Sequence, residues 1–188
     1  MNQSAADFQL DRDQAVLVVI DVQERLVPAM KEKVYNKVRS NIELLIEGTK
    51  QLGIPVVTTE QYPRGLGHTV AELAEVCGET VIEKVSFGCC GEPKFNDVLK
   101  KIGRKQVIVT GMEAHVCVYQ TVLGLLEAGY AVHLVQDAIC SREKENFQAA
   151  VANAGAAGAV ISTTEMALFQ MLKEAGTPEF KAIAKLIK

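Results

Sequence analysis

The chain has 188 residues, 48% of them apolar, which suits one globular domain spanning 1–188 with a full-sized core. Its net charge is −3 with both signs interspersed, so no basic patch points to nucleic acid, and its three histidines are few for a metal enzyme. Cys77, Cys89, Cys90, Cys117 and Cys140 form no CxxC pair and no zinc spacing, which argues for a reducing compartment. No apolar run reaches membrane-spanning length. The first ten residues lack the basic start and apolar stretch of a signal peptide. A cytoplasmic protein is expected.

Short apolar runs alternate with helical patterns along the chain. Val16–Ile20 is a continuous aliphatic run, as expected for a strand covered on both faces. Val34, Val38, Ile42, Leu45, Ile46 and Leu52 mark one face of a helix closed by Gly53, and Pro55–Thr59 is a second strand. Residues 60–69 form a loop by their Gly and Pro content. Ala71–Val76 is a short helix and Val81–Lys84 a weakly marked third strand. Phe95, Val98, Leu99 and Ile102 form a helix face. Val107–Thr110 is the fourth strand, ended by Gly111, and from Val116 onward Val118, Val122, Leu125 and Leu126 recur at helical spacing. Ala131–Val135 is a fifth strand, Glu143–Gly155 an Ala-rich helix and Ala159–Ser162 a sixth strand. Helices over Glu165–Glu174 and Pro178–Ile187 close the chain. The alternation predicts an α/β fold, a parallel sheet with helices on both faces.

In such a sheet, ligands bind beyond the carboxyl ends of the strands. That rule picks out Asp21 after the first strand, Lys84 at the end of the third and Cys117 after the fourth. Each has a bland reading: a turn cap, a solvated strand end and a buried structural thiol. Together they put a carboxylate, an ammonium and a thiol at one edge of one sheet. Cys117 sits where a strand turns into a helix, and free N–H groups and the helix dipole there favour a thiolate. The ammonium would stabilise that thiolate, and the carboxylate could take the thiol proton and return it.

Asp21-Val-Gln23, Lys84-Val-Ser-Phe87 and Thr110-Gly-Met-Glu-Ala-His-Val-Cys-Val118 resemble the three signature segments of the isochorismatase-like cysteine hydrolases. The stretch Leu125–Ala138 is similar too, so the resemblance runs from about Val16 to Leu168. It implies a three-layer Rossmann-like fold with a six-stranded, mainly parallel sheet, and a catalytic triad of Asp21, Lys84 and Cys117. It also implies a cis Met112–Glu113 peptide and an oxyanion hole from the N–H groups of Glu113 and Cys117. Nicotinamidases of this family carry an Asp and His metal cluster after the second strand. Here that stretch offers Glu60 and His68, too few ligands for a zinc site of the usual kind, so no catalytic metal and no cofactor is expected. Residues 59–67 resemble the subgroup of isochorismatase-domain-containing proteins without a settled substrate.

The expected function is hydrolysis of a small carbonyl compound, an amide C–N bond, through a thioester. Gln23, Tyr62, Phe87, His115 and Val116 are expected at the substrate pocket. A Cys117–His115 dyad is unnecessary beside the triad, and His133, inside a strand, reads as a satisfied structural residue. The partners expected are a small-molecule substrate and further copies of the chain in a homo-oligomer, with no nucleic acid and no membrane. The alternatives are a non-catalytic ligand-binding protein on the same fold, or a thiol redox sensor with Cys89, Cys90 or Cys140 as resolving partner.

Overall fold

A computed structural model describes residues 4–78 and 80–187; positions 1–3, 79 and 188 of the expected single domain lie outside it. Six strands form one parallel sheet: β1 (Ala15–Ile20), β2 (Val56–Gln61), β3 (Val81–Lys84), β4 (Gln106–Met112), β5 (Ala131–Cys140) and β6 (Val160–Ser162). Their order across the sheet is β3-β2-β1-β4-β5-β6. The helices are α1 (Glu32–Gln51), α2 (Pro63–Leu66), α3 (Ala71–Cys77), α4 (Pro93–Ile102), α5 (Tyr119–Glu127), α6 (Lys144–Ala157), α7 (Thr164–Leu172) and α8 (Pro178–Ile187).

β1 shows why the sheet lies in the middle. All six of its side chains are fully buried, and they alternate between two cores. Ala15, Leu17 and Val19 pack with Ile42, Leu45 and Ile46 of α1, Leu73 of α3, Leu168 of α7 and Ile183 of α8. Val16, Val18 and Ile20 pack with Phe95 and Leu99 of α4, Val122 and Leu125 of α5, and Ala154 of α6. Each large aliphatic side chain so buried contributes about 1.5–3 kcal/mol, which is why a continuous apolar run makes the central strand.

Local punctuation is clearest at α4. The Glu92 side chain accepts from the Lys94 N–H, Pro93 sets the first turn, and Gly103 (φ 73°) ends the helix in the left-handed region. Lys100 and Lys101 in its last turn complement the helix dipole.

Three expectations need correction. β4 does not stop at Gly111 but runs to Met112, and β5 continues five residues beyond Val135 to Cys140. The strands change register between the Val109–Leu134 and Gly111–Ile139 pairs, and the new register continues at Met112–Cys140. Gln136 and Asp137 fall in that irregularity and interrupt the apolar run by which the strand was read. The loop after β2 is also partly ordered, since it holds the short helix α2.

The chain first winds outward from β1 through β2 to β3, then returns to the other side of β1 as β4. Connections after β1 and β4 therefore part, opening a crevice at the carboxyl edge. Gly111 keeps β1 and β4 close there. It pairs with Ile20, has φ 115°, and a Cβ on it would overlap the Ile20 carbonyl oxygen. We expect Gly111→Ala to lower stability by about 2 kcal/mol or more, measured by urea denaturation; an unchanged midpoint would show that the strands can separate freely.

Candidate active site

Asp21 is the first residue beyond β1. Its backbone is left-handed (φ 51°), a conformation that Asp tolerates better than most residues. Its N–H still donates to the Thr59 carbonyl at 3.1 Å, so the chain bends without leaving the sheet edge. The carboxylate is fully buried and held on both oxygens: Thr59 Oγ1 donates to Oδ1 at 2.7 Å, and Lys84 Nζ to Oδ2 at 2.6 Å.

Lys84 ends β3 and its side chain is entirely shielded from solvent. Besides Asp21, its ammonium donates to Gln61 Oε1 (2.8 Å) and to the carbonyls of Phe87 (2.9 Å) and Ser86 (3.2 Å). An ammonium has three N–H bonds, so these four acceptors use all of them, one shared. A charge removed from water in this way is tolerable only when so paired.

Cys117 lies in a single π-helical turn, Ala114–Val118, that leads from β4 into α5. Its thiol is 5% exposed and faces the ion pair. Burial pushes the Cys117 thiol well above its ordinary value; the Asp21 charge and its hydrogen bond to the thiol add to this, while Lys84 opposes it. The expected thiolate is therefore corrected for the resting protein: desolvation and the carboxylate outweigh the ammonium, and the sulfur carries a proton. The Met112–Glu113 peptide just before this turn is cis.

Residues 15–166 match the isochorismatase domain model. The chain belongs to the isochorismatase family. Isochorismatase domain-containing protein 1 of Danio rerio is 37% identical over 175 residues, covering 93% of this chain and 61% of the relative. The chain thus spans about three fifths of that relative's length. Among solved structures, a MAR1 ribonuclease from Caenorhabditis elegans superposes with a TM-score of 0.89 at 37% identity, over 95% of this chain and 92% of its own. YcaC of Escherichia coli, described as an octameric hydrolase of unknown specificity, superposes with a TM-score of 0.89 at 22% identity, over 100% of this chain and 91% of its own; that likeness concerns the fold.

The other residues singled out in this isochorismatase-family chain lie around the three, in varied settings. Gln23 is fully buried and its amide is spent on main chain: Nε2 donates to the Gln61 and Gly67 carbonyls, and Oε1 accepts from the Gln61 N–H. It braces the β2 end that holds Lys84. Tyr62 and Phe87 are about half exposed at the sheet edge. Val116 is partly buried against the α4–α6 side of the core. His115 Nδ1 lies 3.0 Å from Ser141 Oγ, which ties the turn to the loop after β5. Glu113 does the same, through the Arg142 N–H and guanidinium, each 3.1 Å from its carboxylate. His133 is corrected: its Nε2 is buried with no hydrogen-bond partner among the described residues, and burial lowers its pKa to about 4.

Glu60 accepts from the Thr69 N–H (2.7 Å) and hydroxyl (2.8 Å), and lies 2.9 Å from His68 Nδ1. Among the described residues, no three His, Cys, Asp or Glu side chains gather as a metal cluster would require.

Thr59, Gln61 and Thr121 were not foreseen, and Cys89 was considered only as a redox partner. Thr121 Oγ1 donates to the Cys117 carbonyl (2.6 Å) and accepts from the Cys89 N–H (2.9 Å). The available signal was Thr58-Thr59-Glu60-Gln61, four polar residues in a row at the end of a strand in a parallel sheet, where apolar residues are the norm.

Two outcomes are expected. Lys84→Ala strands a buried carboxylate and should cost about 3–5 kcal/mol in urea denaturation. Alkylation of Cys117 by iodoacetamide, followed peptide by peptide, should titrate above the free-thiol range near 8.5. Asp21→Asn removes a negative charge that raises this pKa, so its profile should move down by about a unit or more. An unmoved profile would mean that the carboxylate does not act on the thiol.

Proposed function

We propose that this chain is a cysteine-dependent hydrolase that cleaves the C–N bond of a small amide. The supporting observation is the buried Lys84–Asp21 pair, 2.6 Å apart, beside the Cys117 thiol. As substrate arrives, the sulfur attacks its carbonyl carbon and the thiol proton passes to Asp21. The N–H groups of Glu113 and Cys117 hold the oxyanion, an effect of roughly 3 kcal/mol per donor in comparable sites. Asp21 then protonates the leaving amine and a thioester remains. Water, deprotonated by Asp21, releases the acid and restores the thiol. Lys84 holds the Asp21 carboxylate in place and supplies positive potential to the sulfur during the attack. Tyr62, Phe87, His115 and Val116 shape the substrate's approach, and Gln23 fixes the loop behind Lys84.

The ribonuclease name belongs to the C. elegans neighbour. Here the ammonium of the triad is already committed to four acceptors, which suits it to holding Asp21 rather than to gripping a phosphodiester. The carboxyl edge also carries exposed apolar side chains, Val85 (76%), Phe87 (55%) and Tyr62 (53%). Such a patch fits a contact with a further copy of the chain, in a homo-oligomer that sedimentation velocity would resolve.

A panel of small amides, with mass spectrometry of rapidly quenched enzyme, tests the chemistry. We expect an acyl adduct on Cys117, absent in Cys117→Ala, and a kcat lowered about 10²–10⁴-fold in Asp21→Asn. An oligoribonucleotide serves as the contrasting substrate. Amide turnover surviving in Cys117→Ala, or RNA cleaved where amides are not, would sink the proposal.

A further inference from the structure

A cavity of about 510 Å³ opens at the same edge of the sheet but on the far side of the catalytic turn, between the start of α1, the end of β5 and the start of α6. Cys117, Asp21 and Lys84 do not line it. Its floor is apolar, formed by Val38, Ile139, Cys140 and Phe147. Its rim carries five cationic side chains, Lys31, Lys33, Lys37, Arg142 and Lys144, all exposed. The one carboxylate among the described lining residues, Asp137, is partly engaged, because its Oδ1 accepts from the Thr164 N–H and hydroxyl. Glu113 takes part of Arg142's charge from outside the cavity. The balance stays strongly positive in a chain whose net charge is −3.

The walls are fixed. Asn41 Nδ2 of α1 donates to the Asp137 carbonyl at 2.6 Å, which pins α1 against β5. Cys140 pairs with Met112 across the sheet, Ser141 lies within hydrogen-bond range of His115, and Arg142 holds Glu113. Two lining residues, Ser141 and Arg142, thus also contact the turn that carries Cys117 and the residue just before it.

We propose that this cavity is a second ligand site, for a small organic anion with an apolar body and a carboxylate or phosphate head. The apolar floor suits a ring or short chain, and the cationic rim suits the head. A head group that draws on the Arg142 guanidinium competes with Glu113 for it, so occupancy of this site is felt at the turn preceding Cys117. The site stands whether or not Cys117 is a nucleophile.

The test uses 4-phenylbutyrate and phenyl phosphate as probes, with uncharged 4-phenylbutyramide as the control, followed by NMR of the Val38 and Ile139 methyl groups. We expect saturable one-to-one binding of at least one anion, no response to the amide, and about tenfold weaker binding in Lys33→Ala/Lys37→Ala, a pair exposed enough for the variant to fold. The preferred probe tells a carboxylate from a phosphate site. Equal binding of the amide, affinity unchanged in the variant, or no saturation would overturn the proposal. So would shifts caused by an oligoribonucleotide and not by either probe, or self-association that buries these methyl groups and excludes both probes.

Discussion

The arrangement of the carboxyl edge depends on one buried ion pair, Lys84 with Asp21. Neither side chain touches solvent. In the interior, the loss of hydration on each ion is comparable to their mutual attraction, so the pair holds only if the remaining valences are filled. The surroundings supply that: a hydroxyl from Thr59, an amide oxygen from Gln61, and two carbonyls from the turn that follows β3. Gln23 in turn fixes Gln61 through its backbone. Two residues at the polar end of β2, Thr59 and Gln61, solvate charges that water cannot reach.

This pairing also governs the thiol. A lone lysine beside Cys117 would favour the thiolate, but a lysine neutralised by a carboxylate that itself faces the sulfur does not. The resting site therefore keeps the Cys117 thiol protonated. Such a thiol is slow toward indiscriminate electrophiles. Buried Cys89 shares this behaviour, its pKa raised to about 12 by desolvation and by the Asp21 charge.

The fold was legible because it follows from pattern. The runs Val16–Ile20 and Val81–Lys84 and the faces of α1 and α4 carry periodicities that only a parallel α/β sheet satisfies together. Asp21, Lys84 and Cys117 were legible as candidates because Asp21 directly follows such a run, Lys84 ends one and Cys117 lies in the turn after another. What sequence could not show is how charges act once brought together. Cys117 at a strand–helix junction looks like a thiolate until the depth of its burial and the position of Asp21 are known. Gln23 looks like a ligand contact until its amide is found spent on Gln61 and Gly67. His133, placed between Ile108 and Val160 by the sheet, lies too deep for its second nitrogen to find a partner.

Thr121 joins the two halves of the site in a way that bears on how it could be altered. Its hydroxyl donates to the Cys117 carbonyl and accepts from the Cys89 N–H, so the turn carrying Cys117 and the loop following Lys84 are fastened through main-chain atoms at both ends. The scaffold is thus blind to the identity of the side chain at 117. A serine, or a selenium in place of sulfur, would be presented from the same backbone position. At position 121, by contrast, a side chain that lacks either a donor or an acceptor loses one of the two hydrogen bonds that fasten these segments.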